Sequence, residues 1–233
     1  MRQQAIYLLL ILITFATTVS ADGLAIDKVY HPYVQAQERE LEWRMISANG
    51  QQKQRLGFGK SLSDNIFIEG YLVGDKTNVN HNNDNDIDIV SSELEAKWQL
   101  TEQGEYSIDW GAITELQRSK YNNWKFSSSL LMEKEWGRWV GTANLSAIYE
   151  WGDTIKDDLE SSLALQTRYR YSRYFEPAVE FYSGQFTRGL GPVVMGEMKF
   201  SGRKKLHWEA GSIIGLDSKT PKNTLRLLVE LEF

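Results

Sequence analysis

The chain has 233 residues, with 31 acidic against 26 basic side chains, a net charge of −5, no cysteine and a mean hydropathy of −0.43. The mild acidity argues against a nucleic-acid partner, which normally meets a basic face. The missing thiols exclude a disulfide framework and a cysteine-linked lipid anchor, and no cofactor motif stands out.

Residues 1–21 read as a cleavable signal peptide. Arg2 gives the positive start, Ala5 to Phe15 the apolar run, and Val19-Ser20-Ala21 the small residues before the cut. The run is shorter than the roughly 20 residues a spanning helix needs; an uncleaved anchor is the alternative. Cleavage would start the mature chain at Asp22 and, with Arg2 gone, leave a net charge of −6. No later segment reaches 18 consecutive apolar residues, so a helical membrane span is excluded. Residues 22–37 form an N-terminal segment expected on the periplasmic side. Its stretch Val29-Tyr30-His31-Pro32-Tyr33 reads either as a plug for the fold that follows or as a linker whose aromatics rest on its mouth.

From residue 38 onwards the sequence alternates with period two, as strands with one apolar and one polar face do. Leu41, Trp43 and Met45 alternate with Glu40, Glu42 and Arg44. Weaker segments follow at 53–61 and 65–74. Leu94, Ala96, Trp98 and Leu100 alternate with Glu93, Glu95 and Lys97, and Tyr106, Ile108, Trp110 and Ala112 with Ser107, Asp109 and Gly111. Trp124, Phe126, Leu130 and Met132 face away from Lys125, Ser127, Ser129 and Glu133. After a weak segment at 138–151, Leu159, Leu163, Leu165, Tyr169 and Tyr171 face away from Glu160, Gln166, Arg168 and Arg170. Segments at 174–186 and 191–200 precede Leu206, Trp208, Ala210 and Ile214, which oppose His207 and Glu209. Last come Leu225, Leu227, Val229, Leu231 and Phe233, opposite Arg226, Leu228, Glu230 and Glu232. The count is about twelve strands.

Connections are expected to alternate in length. Tight turns are read at 63–65, 101–104, 136–138, 172–174 and 201–204, and longer outer loops at 48–52, 75–86, 117–123, 152–157, 184–191 and 217–222. Trp98, Trp110, Trp124 and Trp208, with Tyr106, Tyr171 and Phe175, lie near strand ends, where an aromatic girdle would sit. A soluble β-sandwich would also segregate charge by face. The terminal aromatic and the connection pattern favour a membrane barrel.

A chain that ends on Phe233, with apolar residues at every second place before it, resembles Gram-negative outer-membrane β-barrel proteins of the small transport or channel type. The resemblance implies an all-β, up-and-down antiparallel barrel over 38–233. It also implies location in the cell outer membrane after export through the periplasm. The expected partners are outer-membrane lipid, lipopolysaccharide and the barrel-assembly machinery, which would read the row Leu225, Leu227, Val229, Leu231 and Phe233.

The polar rows would then line the lumen: Glu40, Glu42, Arg44, Glu93, Glu95, Lys97, Lys125, Glu133, Arg168, Arg170, Glu197, Lys199, Glu209, Arg226 and Glu230. Such charges must be paired or hydrated, so the lumen is either packed shut or wet. Eight strands are filled by side chains and 16 to 18 leave a pore; twelve lies between. A narrow channel or uptake barrel for small polar solutes is the favoured function. A structural or adhesive barrel acting through outer residues such as Tyr121 and Phe186 is the alternative. A lipid-cleaving enzyme, which twelve-stranded outer-membrane barrels include, would need a His within about 3 Å of a nucleophile. His31, His81 and His207 suggest no such pair, so no catalytic residue is assigned. Asp84, Asp86 and Asp88 in the Asn/Asp run 78–88 have calcium-loop spacing but lack the Gly at the sixth place. They are weak metal candidates beside the reading as a solvated loop.

Overall fold

The structure, a computed structural model, describes residues 26–77, 87–202 and 204–233. Twelve strands follow in order: β1 Arg39–Ala48, β2 Gln51–Ser61, β3 Ile66–Thr77, β4 Asp88–Gln99, β5 Asp109–Ser119, β6 Asn123–Trp136, β7 Trp139–Gly152, β8 Asp158–Tyr169, β9 Glu176–Gly184, β10 Arg188–Lys199, β11 Lys205–Gly215 and β12 Asn223–Glu232. Every strand pairs antiparallel with its neighbours in sequence, and β12 pairs back onto β1, with Trp43 opposite Val229 and Glu42 opposite Glu230. The barrel is closed, so no strand edge is left to satisfy.

The alternation in the sequence becomes an inside and an outside. On β12, Thr224, Arg226 and Leu228 are buried while Leu225, Leu227 and Val229 are exposed. The same exposed apolar row runs through Leu56 and Phe58 on β2, Leu94 on β4, Leu145 on β7 and Val179 on β9. Buried on the opposite rows are Glu42, Arg44, Glu93, Glu133, Glu180 and Arg226. A soluble sandwich buries its apolar rows; this molecule exposes them on all sides and encloses its charges, which is the arrangement of a transmembrane barrel.

Aromatic rings gather at both rims. At the rim away from the chain termini, Trp124 stacks on Trp151 with centroids 6.2 Å apart, and Tyr149 lies 5.4 Å from Trp151. At the rim carrying the termini, Trp139 and Tyr169 meet at 4.9 Å, with exposed Trp136 the cross-strand partner of Trp139 and exposed Trp98 near the end of β4. Of the rings expected in a girdle, Trp98, Trp110, Trp124 and Trp208 lie on strands, whereas Tyr106, Tyr171 and Phe175 sit on connections at the terminal rim.

The expected alternation of short and long connections does not hold. Asn49-Gly50 alone joins β1 to β2, and both residues have positive φ, 51° and 78°. That is the conformation of a two-residue hairpin turn whose twist matches its strands. At the terminal rim, by contrast, residues 100–108 make a long connection where a tight turn was read at 101–104. Side chains hold it: Asp109 accepts from the Gly104 amide at 3.0 Å, and Thr101 from the Trp110 amide at 2.8 Å. Such local side-chain bonds give a long connection an order that strand periodicity does not reveal.

Leu227 is exposed and its neighbour Leu228 is 1% exposed, so the two test the assignment of faces. Leu227→Arg should destabilise the refolded barrel in lipid bilayers by about 2–4 kcal/mol, the cost of a lipid-facing Arg near the midplane. Equilibrium denaturant unfolding measures it; an unchanged midpoint would mean that this row does not face lipid.

Candidate functional site: the lumen and its inner segment

Cross-strand partners share a face, so the register carries each inward charge around the wall. Glu40 is opposite Gly59 on β2, Gly59 is opposite Glu69 on β3, Glu69 opposite Glu95 on β4, and Glu95 opposite Glu115 on β5. One level higher, Glu42 lies between Glu230 and Gly57. The β1–β5 wall is thus dominated by carboxylate, with Arg44, Arg55 and Lys97 among the cations set in it.

Residues 26–34, expected on the periplasmic side of the barrel, lie inside it. Ile26 and Val29, each 2% exposed, pack on an apolar patch of Ala178, Tyr182, Val193, Met195 and Ile213. The polar residues between them turn to the other wall. Asp27 pairs with Arg44, and lies 3.0 Å from Arg55; Lys28 Nζ is 2.5 Å from Glu42. Arg226 and Tyr182 donate to the Asp27 carbonyl from behind. Tyr30 is clamped at its backbone by Asn144, which accepts from its amide at 2.7 Å and donates to its carbonyl at 2.8 Å, while its hydroxyl donates to Glu95 at 2.9 Å. His31 meets Glu133, Tyr33 donates to Asp109 at 2.8 Å, and the Val34 amide to Gln99 at 2.7 Å. At the mouth Gln37 takes a positive φ of 60° and the chain turns into β1.

These bonds fix the charge states of the inner segment. Burial alone would raise the Asp27 carboxyl, but Arg44 and Arg55 hold it well below the usual carboxylate range. A carboxylate lowered in this way contributes its stabilisation above its unfolded value near 4 and loses it only on stronger acidification. Burial likewise opposes the charge of Lys28, and Glu42 outweighs it, so the ammonium is held above the ordinary lysine value. At the mouth, burial and the neighbouring Glu232 push the Glu38 carboxyl up to about 8.

The sequence-expected lining residues divide by what they meet. Glu42, Arg44, Glu95 and Glu133 bind the inner segment; Arg226 also pairs with Glu180 at 2.9 Å and Glu209 at 3.0 Å. Glu93 lies 3.3 Å from Arg55, and Glu40 and Glu230 share the inward rows of β1 and β12. Lys97 lies over the Phe67 ring, and Arg168 pairs with Glu176 at 3.2 Å. Arg170 and Lys199 stand at the terminal rim instead, Arg170 gripping Glu135 through two bonds of 2.6 and 2.7 Å and Lys199 reaching Glu197. Lys125 remains half-exposed on the inner face of β6. Asp27, Lys28, Arg55, Glu69, Asp109 and Asn144 also belong to the site and were not among the expected residues.

One side of the lumen stays accessible. Along β6, β7 and β8 the inward Lys125, Ser127, Ser129, Ser146, Glu150, Glu160 and Ser162 are all partly exposed, in contrast to the sealed β1–β4 wall. Ser129 and Ser146 hydrogen-bond to each other at 2.7 Å there. Neutral hydroxyls with a few charges offer a wet strip beside the inner segment.

The other expected features are placed as follows. His31 and His207 bond to Glu133 and Glu209, and His81 lies outside the described residues, as do Asp84 and Asp86. Asp88 is exposed at the start of β4, with Lys120 at 4.0 Å. Tyr121 is exposed on its short connection, and Phe186 lies under Lys219. The row Leu225, Leu227, Val229, Leu231 and Phe233 faces outward on and just beyond β12.

No protein-family model matches the chain, and no curated protein matches it in sequence. Solved structures do resemble it. An outer-membrane channel from Pseudomonas putida F1 superposes with a TM-score of 0.57 at 15% identity, over 89% of this chain and 98% of that one. The NanC porin gives 0.56 at 9% identity, over 84% and 98%. The KdgM porin in complex with disordered oligogalacturonate gives 0.54 at 11%, over 83% and 98%. The fold is that of small outer-membrane channel barrels. At these identities the likeness speaks for the architecture and leaves the chemistry of the lumen to this chain's own residues.

Gly111 seats the inner segment. A Cβ at this position would lie 2.9 Å from both Cα and Cβ of Pro32, so Gly111→Val should push the segment off the β5 wall. The chain has no native cysteine, which makes thiol labelling clean. A cysteine introduced by Val29→Cys should be almost unreactive to a water-soluble maleimide and become reactive when combined with Gly111→Val. Rapid labelling in the single variant would mean that the segment does not occupy the lumen.

Proposed function

We propose that the chain is an outer-membrane barrel that passes small polar solutes, with a preference for cations, along the strip left between its inner segment and the β6–β8 wall. The observation that carries this reading is the uneven lumen: sealed by charge pairs over β1–β4, and partly accessible along a row of serines over β6–β8. A barrel serving only as a rigid anchor has no need of a hydrophilic accessible strip. The likeness to porins and channels supports the same class.

The sign of the lumen narrows the solutes. One of the similar porins was captured with oligogalacturonate, a polyanion. Along the accessible strip Glu150 and Glu160 outnumber Lys125 and would repel such a ligand, because like charges in a low-dielectric passage are costly to bring together. Small cationic or zwitterionic solutes fit better.

In this reading the apolar belt faces outer-membrane lipid and lipopolysaccharide, and the terminal rim, with both ends of the barrel, faces the periplasm. Residues 1–21 direct export through that compartment, and the outward row ending at Phe233 is presented to the barrel-assembly machinery. Connections as short as Asn49-Gly50 and residues 120–122 at the opposite rim give little surface for adhesion.

Single-channel recording in planar bilayers tests the proposal. The intact protein should give small, discrete, cation-favouring steps, and deletion of residues 26–34 should raise the step size several-fold. Lys125→Glu should strengthen the cation preference and Glu160→Lys weaken it. Silence from both the intact and the deleted protein, each shown to be folded by heat modifiability on a gel, would overturn the channel reading.

A further inference from the structure

Charge is sorted between the two faces of the wall. Inside, both signs occur and carboxylates lead. Outside, along the rim that carries the chain termini, the outward rows of the strands hold three charged residues, Arg39 on β1, Lys60 on β2 and Lys134 on β6, and all three are cations. Lys134 is opposite Gly141, so it meets no charge across the pair. Arg39 and Lys60, by contrast, are direct cross-strand partners of each other, and both are exposed.

Like charges placed directly opposite one another destabilise a strand pair, and the backbones of such partners stand only about 4.5–5.5 Å apart. A neighbouring carboxylate would relieve the pair. Among the described residues neither side chain makes an ion pair or a hydrogen bond, although Asp64 lies in the turn just after β2. In water, salt would screen the two cations. At the edge of a belt that faces hydrocarbon the dielectric is lower and their repulsion is stronger, so an anion from outside the chain has most to gain between them.

The surface beside the pair narrows what that anion is. One step toward the middle of the belt the same two rows continue with Leu41 and Phe58, again direct partners, 44% and 53% exposed. On the other side of β1 the Phe233 amide donates to the Arg39 carbonyl at 2.8 Å, and Phe233 is 42% exposed. Two cations thus cap an apolar shelf, which is the order in which a phospholipid presents its phosphate and its acyl chains. A phosphodiester accepts several charge-assisted hydrogen bonds at once, and a guanidinium with an ammonium beside it can supply them. No outward carboxylate stands on β1, β2 or β3 to receive the ammonium of a zwitterionic headgroup, so a headgroup whose only charge is its phosphate fits best.

We propose that Arg39 and Lys60 form a binding site for the phosphate of an anionic phospholipid of the phosphatidylglycerol type, whose acyl chains lie along Leu41 and Phe58. A single basic residue at a membrane interface meets any headgroup; a directly opposed pair selects a phosphate that bridges both. The site rests on the belt facing lipid, which Leu227→Arg tests separately, and not on whether the lumen conducts. A lipid held there lies against β1, the strand that closes the barrel, and fixes the terminal end of the β1–β2 pair at headgroup level.

Native mass spectrometry of the refolded protein in detergent tests the site, with added phosphatidylglycerol and, separately, phosphatidylethanolamine carrying the same acyl chains. One phosphatidylglycerol per barrel should be retained under conditions that strip phosphatidylethanolamine. Arg39→Gln and Lys60→Gln should each weaken its retention by about tenfold, the loss of one hydrogen-bonded charge. Arg39→Lys should keep most of it, and Lys134→Gln, at the same rim, should leave it unchanged. Heat modifiability on a gel establishes that each variant is folded. Equal retention of the two lipids by the unaltered protein would overturn the proposal. So would a loss in Lys134→Gln that matches the loss in Arg39→Gln, which would mean that scattered rim charge attracts the lipid without a site.

Discussion

Closure of β1 on β12 is the contact on which the rest of the structure depends. Nine consecutive partners, from Glu40 with Glu232 to Ala48 with Thr224, convert an open sheet into a barrel. In lipid, an unpaired strand edge would leave a row of amides and carbonyls with nothing to bond. Once the sheet closes, each strand has one row in hydrocarbon and one row enclosed, and a one-residue slip would exchange them. A slip here would put Glu42, Arg44 and Arg226 into lipid and Trp43, Val229 and Leu227 into the lumen. The register is therefore imposed by charge as much as by backbone pairing.

Enclosing that many charges creates a second problem, which the inner segment answers. Arg44 and Arg226 are completely buried, and a buried guanidinium needs anionic or carbonyl partners on several sides. Wall residues meet part of this need through Glu42, Glu180 and Glu209. The Asp27 carboxylate meets more of it for Arg44 and Arg55, and the Asp27 carbonyl does so for Arg226. On either side of Asp27 in the chain, Ile26 and Val29 cover an apolar patch on the opposite wall that would otherwise face water. The segment is amphipathic across the lumen: charged toward β1 and β2, apolar toward β9–β11.

Which parts of this were legible from the sequence follows from how strictly each strand alternates. β1, β4, β6, β8 and β12 carry clear period-two patterns, so the inward positions of Glu42, Arg44, Glu93, Glu133, Arg168 and Arg226 follow from the alternation alone. β3 and β9 interrupt theirs. An inward Tyr71, outward glycine at Gly70 and a register shift between Val73 and Gly74 obscure the row that holds Glu69, and Pro177 beside Glu176 masks the start of the row that leads to Glu180. β5 was read too early because Tyr106 and Ile108 extend its pattern into a connection held by Asp109 and Thr101. For residues 26–34 the sequence leaves a plug and a linker at the mouth as alternative readings, and only the structure places the segment in the lumen. Its partners, Arg44, Asn144 and Glu95 among them, are distant in sequence, and an extended chain bonded through single side chains has no period to detect. The one sign present was a mixture of charge and aromatic rings, Asp27, Lys28, Tyr30 and Tyr33, denser than a solvated linker needs.

The inner segment also ties distant parts of the wall to one another. Residues 26–34 cross the lumen and bond to β4, β5, β6, β7 and β9 at once, while Asp27 and Lys28 hold β1 and β2. Those contacts lie on one side, and the inward serines of β6–β8 stay partly exposed. The segment thus occupies one side of the lumen and spares the other, which accounts for a barrel of twelve strands being neither filled nor fully open.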